Sequence, residues 1–253
     1  MPLSPSQPAS PGGPGSPLER LFPDAETLAA VLAGEVAARL RAAIAARGQA
    51  SLVVSGGRSP IAFFRALSAQ TLEWQSLWIT LADERWVDPS APDSNERLVR
   101  EHLRTGAAAA AHWVPLKTPA ASAAKALNER SLAVAAMPRP FDVTVLGMGD
   151  DGHTASLFPR MAGPEAAQER SQGNAGSDLL AAVDTPKLPN VQCPRITLSL
   201  PALLASRRIY LVIGGATKWQ VYRRAAAGAS PLELPVAAIL GQREVPVEVY
   251  WAG

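Results

Sequence analysis

The most chemically suggestive stretch of the chain is Gly147-Met148-Gly149-Asp150-Asp151-Gly152-His153. An acid and an imidazole stand two residues apart there, across a glycine. A carboxylate so placed can hold one ring nitrogen of a histidine and leave the other to take a proton, which is how a general base is presented. The chain has three histidines. His102 falls inside an expected helix and His112 at the start of an expected strand, so His153 is the candidate base and Asp151 its partner. The stretch also matches G-x-G-x-x-G after a strand, the outline of a dinucleotide site. That reading conflicts with the residues. The motif is in mid-chain, no second strand ends in an acid about 20 residues on, and Asp150 and Asp151 would repel a pyrophosphate. A zinc site on Asp151 and His153 would need a third ligand at a recognisable spacing, and none is found.

Three other segments carry chemistry. Ser55-Gly56-Gly57-Arg58-Ser59-Pro60 lies between an expected strand and an expected helix. Its glycines let backbone amides approach an anion, and the helix start adds partial positive charge. Ser59 is expected to cap that helix and Pro60 to open it. An ordinary βα turn has similar residues, so the segment gains meaning only from its neighbours. Asp83-Glu84-Arg85 reads either as a structural ion-pair cluster or as an arginine aimed at phosphate or developing negative charge. Lys218 follows Gly214-Gly215 and is one of only four lysines against 20 arginines.

All four segments fall at the ends of expected strands. Leu52–Val54, Leu77–Leu81, Val143–Leu146 and Ile209–Ile213 are short and apolar throughout, as strands covered on both faces are. Val236–Leu240 and Val247–Trp251 read as late strands. Helices alternate with them. The first is capped by Asp24, carries Leu28, Val31, Leu32, Val36, Leu40 and Ile44 on one face, and ends at Gly48. Others are expected from Pro60, over Asn95–Leu103, over Ala120–Ala136 and around Lys218. Residues 160–192 read as a long loop with one short strand at Leu179–Val183. The pattern predicts an α/β fold, an open, mostly parallel Rossmann-like sheet with helices on both faces. Ligands bind such sheets beyond the carboxyl ends of the strands.

Composition narrows the class. The 253 residues are 47% apolar and 18% charged, a globular balance. One cysteine, Cys193, excludes an internal disulfide and a cysteine-based zinc ribbon. A net charge of +2 argues against a dedicated nucleic-acid binder. The first 17 residues hold six prolines, four serines and three glycines, without charge or an apolar run. They read as a disordered tail rather than a signal peptide, ahead of a single domain over 18–253. No stretch approaches the apolar length of a membrane span. The expectation is a cytoplasmic protein without nucleic-acid or membrane partners, a monomer or small homo-oligomer.

Taken in order, these segments resemble the glucosamine-6-phosphate isomerase/6-phosphogluconolactonase family. The resemblance rests on Val54–Pro60, on Asp83-Glu84-Arg85-Trp86-Val87 with Ser94-Asn95, on Leu146–Pro159, on Pro194-Arg195-Ile196-Thr197-Leu198, and on Gly214 with Lys218. It spans about residues 20–253, and Gly147–Pro159 is its most specific part. The deaminase branch typically carries a Glu in an Asn-Glu-Pro ending where this chain has Ser156-Leu157-Phe158-Pro159, and a Tyr where it has Arg85. Both differences favour the lactonases.

The resemblance implies hydrolysis of 6-phospho-D-glucono-1,5-lactone to 6-phosphogluconate, in the oxidative pentose phosphate pathway. It places His153, Asp151 and Arg85 in the chemistry. Ser55, Gly56, Gly57, Ser59, Asp83, Asn95, Arg195 and Lys218 would surround the sugar phosphate. It calls for no metal and no cofactor. Two alternatives stand beside it. One is a deaminase-like isomerase acting on glucosamine 6-phosphate. The other is a non-catalytic sugar-phosphate sensor, although only the tail and one helix precede the first expected strand, leaving no room for a helix-turn-helix.

Overall fold

The structure, a computed structural model, describes residues 17–57, 59–159, 179–183 and 193–253. The Pro-rich tail (Pro17 apart), Arg58 and most of the 160–192 excursion lie outside the described residues.

Seven parallel strands form the main sheet: β1 (Leu18–Phe22), β2 (Ala50–Val54), β3 (Leu77–Leu81), β5 (His112–Val114), β6 (Val143–Gly147), β9 (Ile209–Gly214) and β10 (Val247–Ala252). Their spatial order is β1-β10-β9-β6-β2-β3-β5. From β2 the chain steps through β3 to β5, then returns past β2 to β6 and continues through β9 to β10. The direction reverses between β2 and β6, so a crevice opens there at the carboxyl ends of the strands. Among the described residues the α-helices are α1 (Ala25–Arg47), α2 (Ile61–Ser68), α3 (Asn95–His102), α4 (Ala123–Ala135), α5 (Leu200–Leu204), α6 (Gly215–Ala226) and α7 (Val236–Leu240). Right-handed crossovers put α1–α3 on one face of the sheet and α4–α7 on the other. The contacts agree: α1 packs on α2 and α2 on α3, while α7 packs on both α5 and α6.

The sheet is covered on both sides, and β2 is buried at all five positions. The long helix forms where the sequence places it. Asp24 Oδ1 accepts from the Thr27 amide at 2.7 Å, and Gly48 ends the helix at φ 75°. Val31 on its apolar face is only partly buried.

Four features differ from the sequence expectation. Val236–Leu240 is a helix rather than a strand. Val236, Ala237, Ile239 and Leu240 are buried, a spacing that suits one helical face, and Pro235 starts the turn. Leu18–Phe22 is a strand that the sequence reading lacks, paired with β10 at the sheet edge. Ser59 does not cap α2; Pro60 occupies that position and no side chain caps it. Asp83–Arg85 does not merely end β3. It is β4, and with β8 (Arg195–Leu198) and β7 (Leu180–Val183) it forms a separate antiparallel sheet ordered β4-β8-β7. Ala82 joins the two sheets: its amide donates to Val54 O and its carbonyl accepts from Leu198 N, each at 2.8 Å. The small sheet is thereby fixed over the carboxyl ends of β2 and β3.

Among the described residues no helix is long and apolar enough to cross a membrane.

Candidate active site

A cavity of about 340 Å³ opens at the crevice between β2 and β6. Of the eleven side chains and glycines singled out in the sequence, ten line it: Ser55, Gly56, Gly57, Ser59, Asp83, Arg85, Asn95, His153, Arg195 and Lys218. The eleventh, Asp151, does not line it but holds one that does. His153 Nδ1 lies 2.5 Å from Asp151 Oδ1, which also accepts the His153 backbone amide at 3.1 Å. Bonded to a carboxylate, Nδ1 carries the proton, and Nε2 is left as an acceptor. Burial would raise the Asp151 carboxyl, but the hydrogen bond and charge of His153 outweigh it and hold it below its usual range.

The loop that carries this pair is built around its glycines. Gly149 N donates to His153 O at 2.9 Å, and Gly152 N to Gly149 O at 3.0 Å. A Cβ on Gly149 would stand 2.1 Å from His153 Cε1 and 2.2 Å from Nδ1. Gly152 has φ 77°, and a Cβ there would meet Leu234 Cδ2 at 2.7 Å. The last two glycines of the G-x-G-x-x-G pattern thus make room for the imidazole and for the chain before α7, not for a pyrophosphate. Val236 N also donates to Gly152 O at 3.0 Å, bracing the loop from α7. Just beyond it, Ala155 lines the cavity at φ 49°, a left-handed conformation that costs a non-glycine residue about 1–2 kcal/mol.

Among the described residues, three cations face the cavity from different elements. Arg85 on β4 and Arg195 on β8 are directly paired across the small sheet. Like charges opposite one another destabilise a sheet, and bound anionic groups would relieve that cost. Arg195 is partly offset by Asp83, 3.4 Å away, while Arg85 donates to the Asp93 carbonyl at 2.5 Å. Lys218, in the first turn of α6, has no ion-pair partner among the described residues. Ser55 Oγ, Arg85 Nε and Arg195 Nε are buried without a hydrogen-bond partner among the described residues. They are groups that a bound ligand would satisfy.

Several supporting residues were not singled out in the sequence. Phe158, 2% exposed, packs its ring 4.9 Å from that of His153 and 5.4 Å from the Arg195 guanidinium carbon. Ser156 Oγ donates to Asp83 Oδ2 at 2.6 Å. Both lie in the 147–159 block, but an apolar or hydroxyl residue gives no sequence signal of what it touches. Glu84 is buried behind Arg85, and burial pushes its carboxyl up to about 7 against hydrogen bonds that favour the ionised form. Its folded value lies above the ordinary 4.5. The proton is therefore held more tightly in the fold, and the associated stability is full below pH 4.5 and lost as pH rises through 7. The loss amounts to about 3 kcal/mol. Urea unfolding followed between pH 5 and 8 should show this decline, and Glu84→Gln should flatten it. An unchanged slope in that variant would assign the decline to other groups.

The other two histidines sit elsewhere. His102 ends α3, and His112 stacks on Trp78 with ring centroids 4.6 Å apart. Among the described residues, no three His, Cys, Asp or Glu side chains come together in a way that could hold a metal ion.

Residues 23–251 match the family model described as glucosamine-6-phosphate isomerases/6-phosphogluconolactonase. The chain is 43% identical over 228 residues to a 6-phosphogluconolactonase of Pseudomonas putida, covering 90% of each chain. It is 44% identical over 220 residues to one of Pseudomonas aeruginosa, covering 87% of this chain and 88% of that one. Among solved structures, a 6-phosphogluconolactonase from Shewanella baltica superposes with a TM-score of 0.85 at 41% identity, covering 94% of this chain and 98% of that one.

Proposed function

The chain belongs to the glucosamine-6-phosphate isomerase/6-phosphogluconolactonase family, and we infer from that premise that it hydrolyses 6-phospho-D-glucono-1,5-lactone to 6-phosphogluconate, a step of the oxidative pentose phosphate pathway. The observation that carries this reading is the Asp151–His153 pair at the wall of a cavity that Arg85, Arg195 and Lys218 also line. A base and several cations suit a phosphorylated ester-like substrate attacked by water.

The chemistry needs little more. A lactone carbonyl is already electrophilic. His153 Nε2 takes a proton from water as the oxygen attacks that carbonyl, and Asp151 steadies the imidazolium that forms. Arg85 donates to the developing oxyanion. When the tetrahedral intermediate collapses, the carbonyl reforms and the bond to the ring oxygen breaks. The imidazolium returns its proton to that oxygen, leaving the free acid and restoring the base. The amides of Gly56 and Gly57, with Ser59, Arg195 and Lys218, hold the phosphate. Ser55 and Asp83 complete the wall around the sugar hydroxyls. Every one of these groups comes from one chain, so the reading requires no partner subunit. A phosphorylated sugar does not cross membranes unaided, which supports a cytoplasmic location for an enzyme that acts on one.

The deciding experiment is a hydrolysis assay on freshly prepared 6-phosphogluconolactone, corrected for spontaneous opening. A rate no faster than the spontaneous one would exclude the reading, and ammonia release from glucosamine 6-phosphate would replace it with the deaminase. Lys218→Ala supplies a second check. Removing one charge-assisted contact to phosphate should raise KM by about tenfold with kcat unchanged. A loss confined to kcat would move Lys218 from phosphate binding into the chemistry.

A further inference from the structure

Two deeply buried polar groups, Asn95 in the cavity wall and Glu84 behind it, have no part in the scheme above. Glu84 and Asn95 are each 1% exposed. The Glu84 carboxylate accepts four bonds: from the amides of Arg85 at 2.7 Å, Asn95 at 2.8 Å and Glu96 at 2.7 Å, and from Ser94 Oγ at 3.1 Å. These bonds fasten the first turn of α3 onto β4, beside Arg85. Asn95, the first residue of α3, donates Nδ2 to the Asp83 carbonyl at 2.9 Å, which fixes which way its carboxamide points. Its Oδ1 is buried without a hydrogen-bond partner among the described residues and lies against Gly56. A Cβ on Gly56 would stand 1.9 Å from Asn95 Oδ1 and 2.0 Å from its Cγ. The carboxamide is therefore a wedge with one edge on β4 and the other on the loop after β2.

That wedge separates two working parts of the cavity. The Gly56-Gly57 turn lies on one side, where the phosphate is read to bind, and Arg85, on β4, lies on the other. The base is not part of this chain of contacts, since its loop is braced by its own glycines and by Val236. We propose that Glu84 and Asn95 are positioning residues that set the span between the Gly56-Gly57 turn and Arg85, so that the cavity selects a ligand anchored at both ends: a phosphate at one and a carbonyl or carboxylate at the other. The identity of that ligand rests on the lactonase reading. The span gives Asn95 a different task from the substrate contact implied by the family resemblance.

Calorimetry with two ligands tests it. 6-Phosphogluconate engages both ends, whereas inorganic phosphate engages only the phosphate end. Asn95→Ala and Glu84→Gln should each weaken 6-phosphogluconate by about tenfold or more, because small misplacements between anchoring groups are costly, and leave inorganic phosphate within about twofold. The cost of Gly56→Ala to 6-phosphogluconate binding should shrink in the Asn95→Ala background, where the two closest atoms are gone and only Cβ, at 2.7 Å, remains of the three nearest. Two results would overturn the proposal: parallel weakening of both ligands, or a lower thermal midpoint with both affinities at wild-type values. A wild-type chain that binds inorganic phosphate but not 6-phosphogluconate would overturn the substrate assignment itself, and the span with it.

Discussion

Replacing His153 with Ala should lower kcat by about 10²- to 10⁴-fold, the range that a positioned general base contributes, with KM and the circular-dichroism spectrum little changed. The expectation follows from how the imidazole is held. Asp151 takes Nδ1 at 2.5 Å, Phe158 supports the ring, and the surrounding loop is braced by Gly149, Gly152 and Val236. None of those braces needs the imidazole in order to fold. The three cations that would bind the sugar phosphate come from β4, β8 and α6, so affinity should survive the loss of the base. Added imidazole should restore part of the rate, because the cavity left behind would admit it. The rate to compare is the enzymatic one after the spontaneous opening of the lactone is subtracted. A variant that turns over within about threefold of the wild type would remove His153 from the proton transfer, since even weak general-base catalysis exceeds that.

The sheet was legible because its strands are short, apolar on both faces and terminated by glycine or charge, a pattern with few alternatives once helices intervene. The site was legible for a related reason. Each of its segments sits where a strand ends, and a parallel sheet gathers all such ends on one edge. Local sequence patterns were less reliable where tertiary context decides. Val236–Leu240 is five residues of mixed small and branched apolar side chains, which strand and helix accept alike. Its helical state is set by Pro235 and by burial of a single face. β1 carries exposed Leu18 and Leu21 beside Glu19 and Arg20, so it shows no strand alternation and is recognisable only from its pairing with β10. The small sheet joins residues more than 100 apart in sequence, as in Asp83 with Thr197, and no local pattern encodes such a pairing. The same holds for Phe158 between His153 and Arg195. An aromatic residue in a turn says nothing of its neighbours until the chain has folded.

Gly149 offers the sharpest test of how the base is positioned. Its backbone does not adopt the left-handed conformation that Gly152 does, so an alanine there carries no inherent backbone strain. The obstacle is the imidazole. The new methyl would lie 2.1 Å from His153 Cε1 and 2.2 Å from Nδ1, with Asp151 Oδ1 at 2.8 Å. Contacts that short cannot persist, and the groups free to yield are the ring and the carboxylate that orients it. Gly149→Ala should therefore lower kcat by about 10²-fold, the scale on which an ångström of misplacement acts, while KM stays near the wild-type value. A general loss of loop structure would raise KM as well. The two explanations separate further in the double variant. If the methyl acts only by displacing His153, it has nothing left to displace once His153 is Ala, and the double variant should match the single His153→Ala rate. A further drop of about 10²-fold in that background would mean that Gly149 shapes the oxyanion or water site directly.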